Sequence, residues 1–136
     1  MLLFFAIQLM TLSCFNSEAK LNVTIENIRH STGQIRVGLY AACENFPMGC
    51  KPIASQVIDA SGNNVHLAFD VKPGDYAVAL FHDVNGNGKL DKNLFGIPKE
   101  PYGFSNNYRP RVSGPVFADC RVRLGASEKT ISIKLI

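Results

Sequence analysis

From Leu21 to Glu26 apolar and polar residues alternate, Leu-Asn-Val-Thr-Ile-Glu. This period of two belongs to a strand with one face on a core and the other toward water. It recurs in Ile35–Leu39, more weakly in Ser55–Ile58, and again where Val65, Leu67 and Phe69 share a face. Val116 to Leu124 alternates with Arg121 and Arg123 outward, and Ile131, Ile133 and Leu135 mark a closing strand. Tyr76 to Phe81 is different, because it is apolar on both faces. A strand of that kind is covered on both sides and sits centrally in its layer. Turn residues punctuate the pattern at His30–Gly33 and Ser61–Asn64. Lys72-Pro73-Gly74-Asp75 predicts a type II turn with Gly74 at positive φ. No window carries a helical stripe. About seven short strands predict an all-β chain, a single β-sandwich of immunoglobulin-like or transthyretin-like type. One long ordered loop, residues 83–114, follows neither period.

Residues 1–19, MLLFFAIQLMTLSCFNSEA, fall outside this pattern. They hold the apolar runs Leu2–Ile7 and Leu9–Leu12 and end in Ser17-Glu18-Ala19, with small residues at −3 and −1 of a cleavage site. This predicts a signal peptide removed after Ala19 and an exported protein, periplasmic or extracellular. The apolar run is too short for a permanent transmembrane helix. A competing reading places lipoprotein processing at Cys14, after Ser13. Cleavage at Ala19 leaves one domain, residues 20–136, which is 136 − 19 = 117 residues. Such a length can bury about two-thirds of its unfolded surface.

Loss of Glu18 raises the formal charge from +3 to +4. The densest basic cluster, Arg109, Arg111, Arg121 and Arg123, lacks the interleaved aromatics of a nucleic-acid surface, so no nucleic-acid partner is expected. Cys43 and Cys50 bracket six residues. In an oxidising compartment they predict a disulfide, and the spacing is not the C-x-x-C of redox catalysis. Cys120 alternates in phase with Ala118 and Val122 and reads as a buried, inert thiol.

The candidate chemistry lies in the loop. Asp83, Asn85, Asn87, Lys89 (through its carbonyl) and Asp91 occupy positions one, three, five, seven and nine of a calcium loop, with Gly88 at the turn. Position twelve is Leu94, where a bidentate Glu is expected. A site so poor in charge would bind Ca²⁺ weakly, at ~10⁻⁴–10⁻³ M. The metal-free alternative is a turn in which Asn and Asp side chains hold their own backbone. Glu100 could fold back as a further ligand. His82, with Asp83 or Glu100, forms a candidate acid–base pair, against the reading of a histidine that ties loop to strand. Tyr102, Phe104 and Asn106 could hold a glycan or a peptide, or could plug the sandwich. No Gly-x-Ser-x-Gly, phosphate loop or dinucleotide fingerprint is present.

The run from Lys72 to Asn107, KPGDYAVALFHDVNGNGKLDKNLFGIPKEPYGFSNN, closely resembles the signature of the bacterial exported family called domain of unknown function 2141. The matching positions are Pro73, Gly74 and Tyr76, then His82 and Asp83, then Asn85, Asn87, Gly88 and Asp91. Gly96, Pro98, Glu100, Tyr102, Gly103, Phe104 and Ser105 complete them. The resemblance implies a signal-bearing, single-domain β-sandwich with no established activity. Three functional expectations follow. The first is a non-enzymatic binding or structural module of the cell envelope, with its loop held by Ca²⁺ or by itself. The second is a small hydrolase or isomerase using His82 with Asp83 or Glu100. The third is an assembly role through a sheet edge.

Overall fold

The computed structural model describes residues 18–136. The expected leader lies outside them except for Glu18 and Ala19, and Cys14 lies outside them entirely. Eight strands form: β1 (Ala19–Glu26), β2 (Gln34–Tyr40), β3 (Ala54–Asp59), β4 (Val65–Val71), β5 (Gly74–Asp83), β6 (Tyr102–Phe104), β7 (Val122–Leu124) and β8 (Lys129–Lys134). A 3-10 turn (Ser105–Asn107) and one short helix, α1 (Phe117–Cys120), complete the described elements.

Two sheets pack as a sandwich. The first runs β4-β1-β8, with β1 antiparallel to β4 and parallel to β8. The second runs β3-β2-β5-β6, all antiparallel, and β7 pairs with the opening residues of β5. Alternation decides what enters the core. Leu21, Val23, Ile25, Val65, Leu67, Phe69 and Ile133 come from the first sheet, and Ile35, Val37, Leu39, Tyr76, Val78 and Leu80 from the second. Each fully buried side chain of this size contributes about 1.5–3 kcal/mol.

β5 is covered on both faces, as its composition predicts. Its outward Ala77 and Ala79 are small, and the Phe46 ring packs there with Tyr40, Phe104, Phe117 and Cys120. Phe46 meets Tyr40, Phe117 and Phe104 edge-on at centroid distances of 5.1, 6.1 and 6.3 Å. Edge-to-face packing suits the aromatic quadrupole. Gly38, on β2, leaves room for the Tyr40 ring, which would lie 2.8 Å from any Cβ there. The second sheet therefore carries a roof, and the Cys43–Cys50 disulfide closes the hairpin that supplies Phe46.

Three local expectations differ from the structure. Gly74 does not adopt positive φ; it opens β5 opposite Leu124, so the type II turn is replaced by strand. Val116–Leu124 is not one strand, because α1 takes its first half and buries Cys120 under the roof. The 83–114 segment is not loop throughout, since Tyr102–Phe104 returns to β5 as β6. β6 also bridges the sheets, because Tyr102 and Ile136 exchange backbone hydrogen bonds of 3.1 and 2.9 Å. There the two sheets are too close for a side chain: a Cβ on Gly103 would sit 2.8 Å from Ile133 Cγ2. Gly103→Ala is expected to cost about 1–3 kcal/mol in urea unfolding, whereas Gly114→Ala, where nothing lies within 4 Å, leaves stability unchanged. Equal midpoints for the two variants would refute this account of sheet closure.

Candidate functional site

The end of β5 sets the geometry. Successive residues of a strand face opposite sides, so His82 enters the interior and Asp83 the roofed face. Both are fully buried. His82 Nε2 donates to the Thr32 carbonyl at 2.7 Å, since a carbonyl can only accept. Its Nδ1 is buried without a partner, and His30 lies 6.2 Å away, ring to ring. The His82 backbone N–H donates to Pro101 O at 2.8 Å. This histidine ties the β1–β2 turn to β5, on the opposite side of the strand from Asp83.

The Asp83 carboxylate anchors the loop. Oδ1 accepts from Asn87 N at 3.1 Å, and Oδ2 accepts from Gly88 N at 2.8 Å and from Arg36 Nε at 3.0 Å. Burial pushes this carboxyl up, but the Gly88 N–H, the Arg36 guanidinium and the Asn87 N–H outweigh it and hold the group below its ordinary value. Gly33 lets the preceding turn close over this point, because a Cβ there would overlap Asp83 O and its own φ is +75°.

Beyond Asp83 the loop is built from side-chain amides. Asn85 Nδ2 and Asn87 Nδ2 both donate to Asp91, at 2.8 and 2.9 Å. Asn87 Oδ1 accepts from Lys89 N at 2.9 Å. Gly86 and Gly88 take φ of 69° and 78°, the left-handed region that glycine enters freely. Asp91 and Glu100 are joined, since Asp91 N donates to Glu100 Oε2 at 3.1 Å and Lys99 N to Asp91 O at 2.7 Å. Glu100 is only 7% exposed, and its Oε1 has no partner.

These residues fit a hard cation in part. Asp83, Asn85, Asn87 and Asp91 converge within one hydrogen-bonded turn, and Glu100 brings an unpaired carboxylate oxygen to its edge. Turning over the two amides would exchange nitrogen for oxygen at Asp91. Among the described residues no three His, Cys, Asp or Glu side chains form a cluster, so much of the shell would be amide and carbonyl oxygen.

The FSNN end of the signature is structural. Ser105 Oγ accepts from Val78 N at 2.9 Å and donates to Cys120 O, filling a gap in the ladder beside β5. Asn106 Nδ2 donates to Asp119 O and Arg121 O, which ties the 3-10 turn to α1. Asn107 Oδ1 accepts from Lys134 N at 2.8 Å, so its amide covers the free edge of β8. Both asparagines have left-handed φ, 63° and 50°, which Asn tolerates better than most residues. The sequence marked Ser105 only as a signature position, without its role, and it did not mark Arg36 or Asn107 as contributors. The Asn-Asn pair was the one available signal.

Tyr102 and Phe104 share the roofed face and line a groove of about 910 Å³. Its floor is the second sheet: Gly38, Val57, Ala79 and Phe81 with the two β6 aromatics. Its walls come from the disulfide hairpin, the 84–101 loop and the 109–116 segment, through Met48, Phe95, Ile97 and Val112. Its charged side chains are Arg36, Lys92 and Arg111, all cationic. The size is within the roughly 300–1,000 Å³ of ligand sites. His82, Glu100 and Asn106 lie outside this lining. Cys120 is inert here, its thiol pushed up to about 12 by burial and by the neighbouring Asp119.

Asp83 makes stability pH-dependent. Its native pKa is lowered, so its contribution is complete above the unfolded value near 3.8 and is lost as pH falls through the native one. In urea titrations, Asp83→Asn should be less stable than wild type at about pH 7, and the gap should shrink below about pH 4. A gap independent of pH would remove the carboxylate from this role.

No curated protein and no solved structure matches the chain. One family does, described as an uncharacterized protein conserved in bacteria (DUF2141), and it matches residues 23–132. That span runs from β1 to β8 and includes the Asp83 loop, the β6 return and every wall of the groove. The chain belongs to this family, domain of unknown function 2141.

Proposed function

We propose that this protein is an exported, non-enzymatic binding module of the bacterial cell envelope, periplasmic or at the cell surface, and that the groove over the second sheet is its binding face. The groove carries this reading. It is a concave apolar surface built from one rigid sheet and three separate loops, with exposed hydrophobic side chains at its rim. Binding sites favour such loop-framed concavities on a rigid scaffold. Export is supported by the leader pattern of residues 1–19 and by the Cys43–Cys50 bond, a feature of oxidising compartments. No described helix is long and apolar enough to cross a membrane.

Glycan and peptide were the ligands expected from sequence. The lining is mostly apolar, and its charged side chains, Arg36, Lys92 and Arg111, are all cationic. Its neutral hydrogen-bonding groups are Tyr40, Tyr102, Ser55 and Ser113, since Gln56 is spent on Ala68 O across the sandwich. An apolar, anionic envelope component therefore fits better than a neutral sugar. The hydrolase or isomerase alternative gains no support, because His82 and Asp83 face opposite sides of β5 and His82 Nε2 is held by a carbonyl. Val57→Glu, which places a negative charge on the groove floor at a half-exposed position, should abolish retention of the purified protein on isolated cell envelopes without lowering Tm. Undiminished retention would refute the groove as the binding face.

Weak calcium binding at the Asp83–Asp91 loop is part of the proposal. Its support is the orphaned Glu100 oxygen, a buried carboxylate atom that a cation would satisfy. Of the expected ligands, Asn85, Asn87, the Lys89 carbonyl and Asp91 supply the rest, while Asp83, whose carboxylate is taken by Arg36, Asn87 N and Gly88 N, anchors the loop that carries them. With Kd near ~10⁻⁴ M, ~1 mM Ca²⁺ stabilises by about 1.4 kcal/mol, by mass action. The melt should rise by roughly 5 °C over EDTA. The rise should vanish in Asp91→Ala, weaken in Glu100→Gln, and not appear with Mg²⁺ or Zn²⁺. No response to Ca²⁺ would leave the loop a self-capped turn and would not touch the groove.

A further inference from the structure

We propose that the rim of this groove docks the protein on an anionic lipid surface. The inference rests on the roofed face being the binding face and names what that face meets.

The first observation is exposed apolar side chains in one place. Met48 is 79% exposed, Phe95 88%, Ile97 59%, and Leu94 and Val112 are completely exposed. They come from three segments far apart in sequence, yet Met48, Phe95, Ile97 and Val112 border the same groove. Single exposed hydrophobics are ordinary, but several around one mouth mark an interaction surface.

The second observation is charge. The same three segments carry Lys51, Lys89, Lys92, Lys99, Arg109 and Arg111, all exposed. Their carboxylates do not balance this. Glu44 is exposed, but Asp91 is tied to two asparagine amides and Glu100 is buried. Apolar tips flanked by cations match the lipid interface, where hydrocarbon enters the acyl boundary and Lys or Arg meets headgroup phosphate.

The third observation concerns backbone. At the Leu94–Ile97 tip, Asn93 Oδ1 accepts from Phe95 N at 2.9 Å and Ile97 N at 3.0 Å, and Gly96 N donates to Asn93 O at 3.0 Å. Most of the tip's N–H groups are therefore satisfied within the loop. Entry of the side-chain tips to the headgroup and acyl boundary, short of the hydrocarbon core, then leaves few N–H groups to desolvate. A peptide partner adding to a strand would instead need free N–H and C=O groups.

The test is co-sedimentation of the processed protein with phosphatidylglycerol-rich vesicles and with pure phosphatidylcholine vesicles. Binding is expected to the anionic vesicles and to weaken with salt. Phe95→Ser should weaken it about tenfold. Lys92→Glu with Arg111→Glu should weaken it at least about 25-fold, from roughly fivefold per lost cation. These side chains are exposed, so Tm should not move, and a melt confirms that each variant folds. Absence of binding to anionic vesicles, equal binding to both vesicle types, or indifference to these substitutions would overturn the inference. If vesicles fail but envelope retention remains sensitive to Val57→Glu, the face binds a protein or peptide, and only the lipid inference falls. If both fail, the groove reading falls with it.

Discussion

β5 is the constraint on which the rest depends. A strand with Val78 and Leu80 on one face and Ala77 and Ala79 on the other cannot leave either face in water. The first sheet covers the inner face in the ordinary manner of a sandwich. No third sheet exists for the outer face among the described strands. It is covered instead by a disulfide-closed hairpin carrying Phe46, by α1 carrying Cys120 and Phe117, and by the return of the long loop through Phe104. Because the covering is assembled from separate pieces, it leaves a groove where the pieces do not meet.

Hydrogen bonding explains how long connections can be held so near a sheet. A buried polar group without a partner costs about 1–3 kcal/mol. The signature meets this requirement with short polar side chains. Asp83 takes two loop N–H groups and Arg36, Ser105 replaces a missing ladder partner of Val78, and Asn106 and Asn107 cap α1 and the edge of β8. The family signature is therefore mostly a fastening scheme, in which each polar residue answers a particular backbone group. Glu100 Oε1 and His82 Nδ1 are the described exceptions. They differ in position. The Glu100 carboxylate holds the Asp91 loop through its other oxygen. His82 faces the packed interior.

The legibility of the chain follows the range of the forces involved. Strand alternation is local, so β1, β2, β4, the two-faced β5 and β8 could be read directly, and the β-sandwich was as expected. The Cys43–Cys50 pairing followed from spacing and compartment. The misreadings were non-local. Val116–Leu124 alternates well enough for a strand, but its first half folds as α1 because Cys120 and Phe117 find their partners under Phe46. Gly74 looks like a turn glycine, yet its pairing with Leu124 draws it into β5. Arg36 gave no signal at all, since its partner lies 47 residues away. The loop residues were found by motif, but a motif does not show that Asn106 would bond two carbonyls rather than face a ligand.

The same separation of forces bears on what the molecule can do. An acid–base pair of His82 with Asp83 would need the two groups brought together, and β5 sends them to opposite faces, each already bonded. Binding needs only a surface whose burial is incomplete. The roof provides one, because Phe46 and Phe104 turn inward to satisfy β5 while Phe95, Val112 and Met48 have nothing left to cover. Those three could be polar at no cost to the fold, since none of them contributes to either buried cluster. Their apolar character is therefore not explained by stability. The proposed docking explains it by contact with something outside the chain, and on that proposal the cations beside them set the sign of its charge.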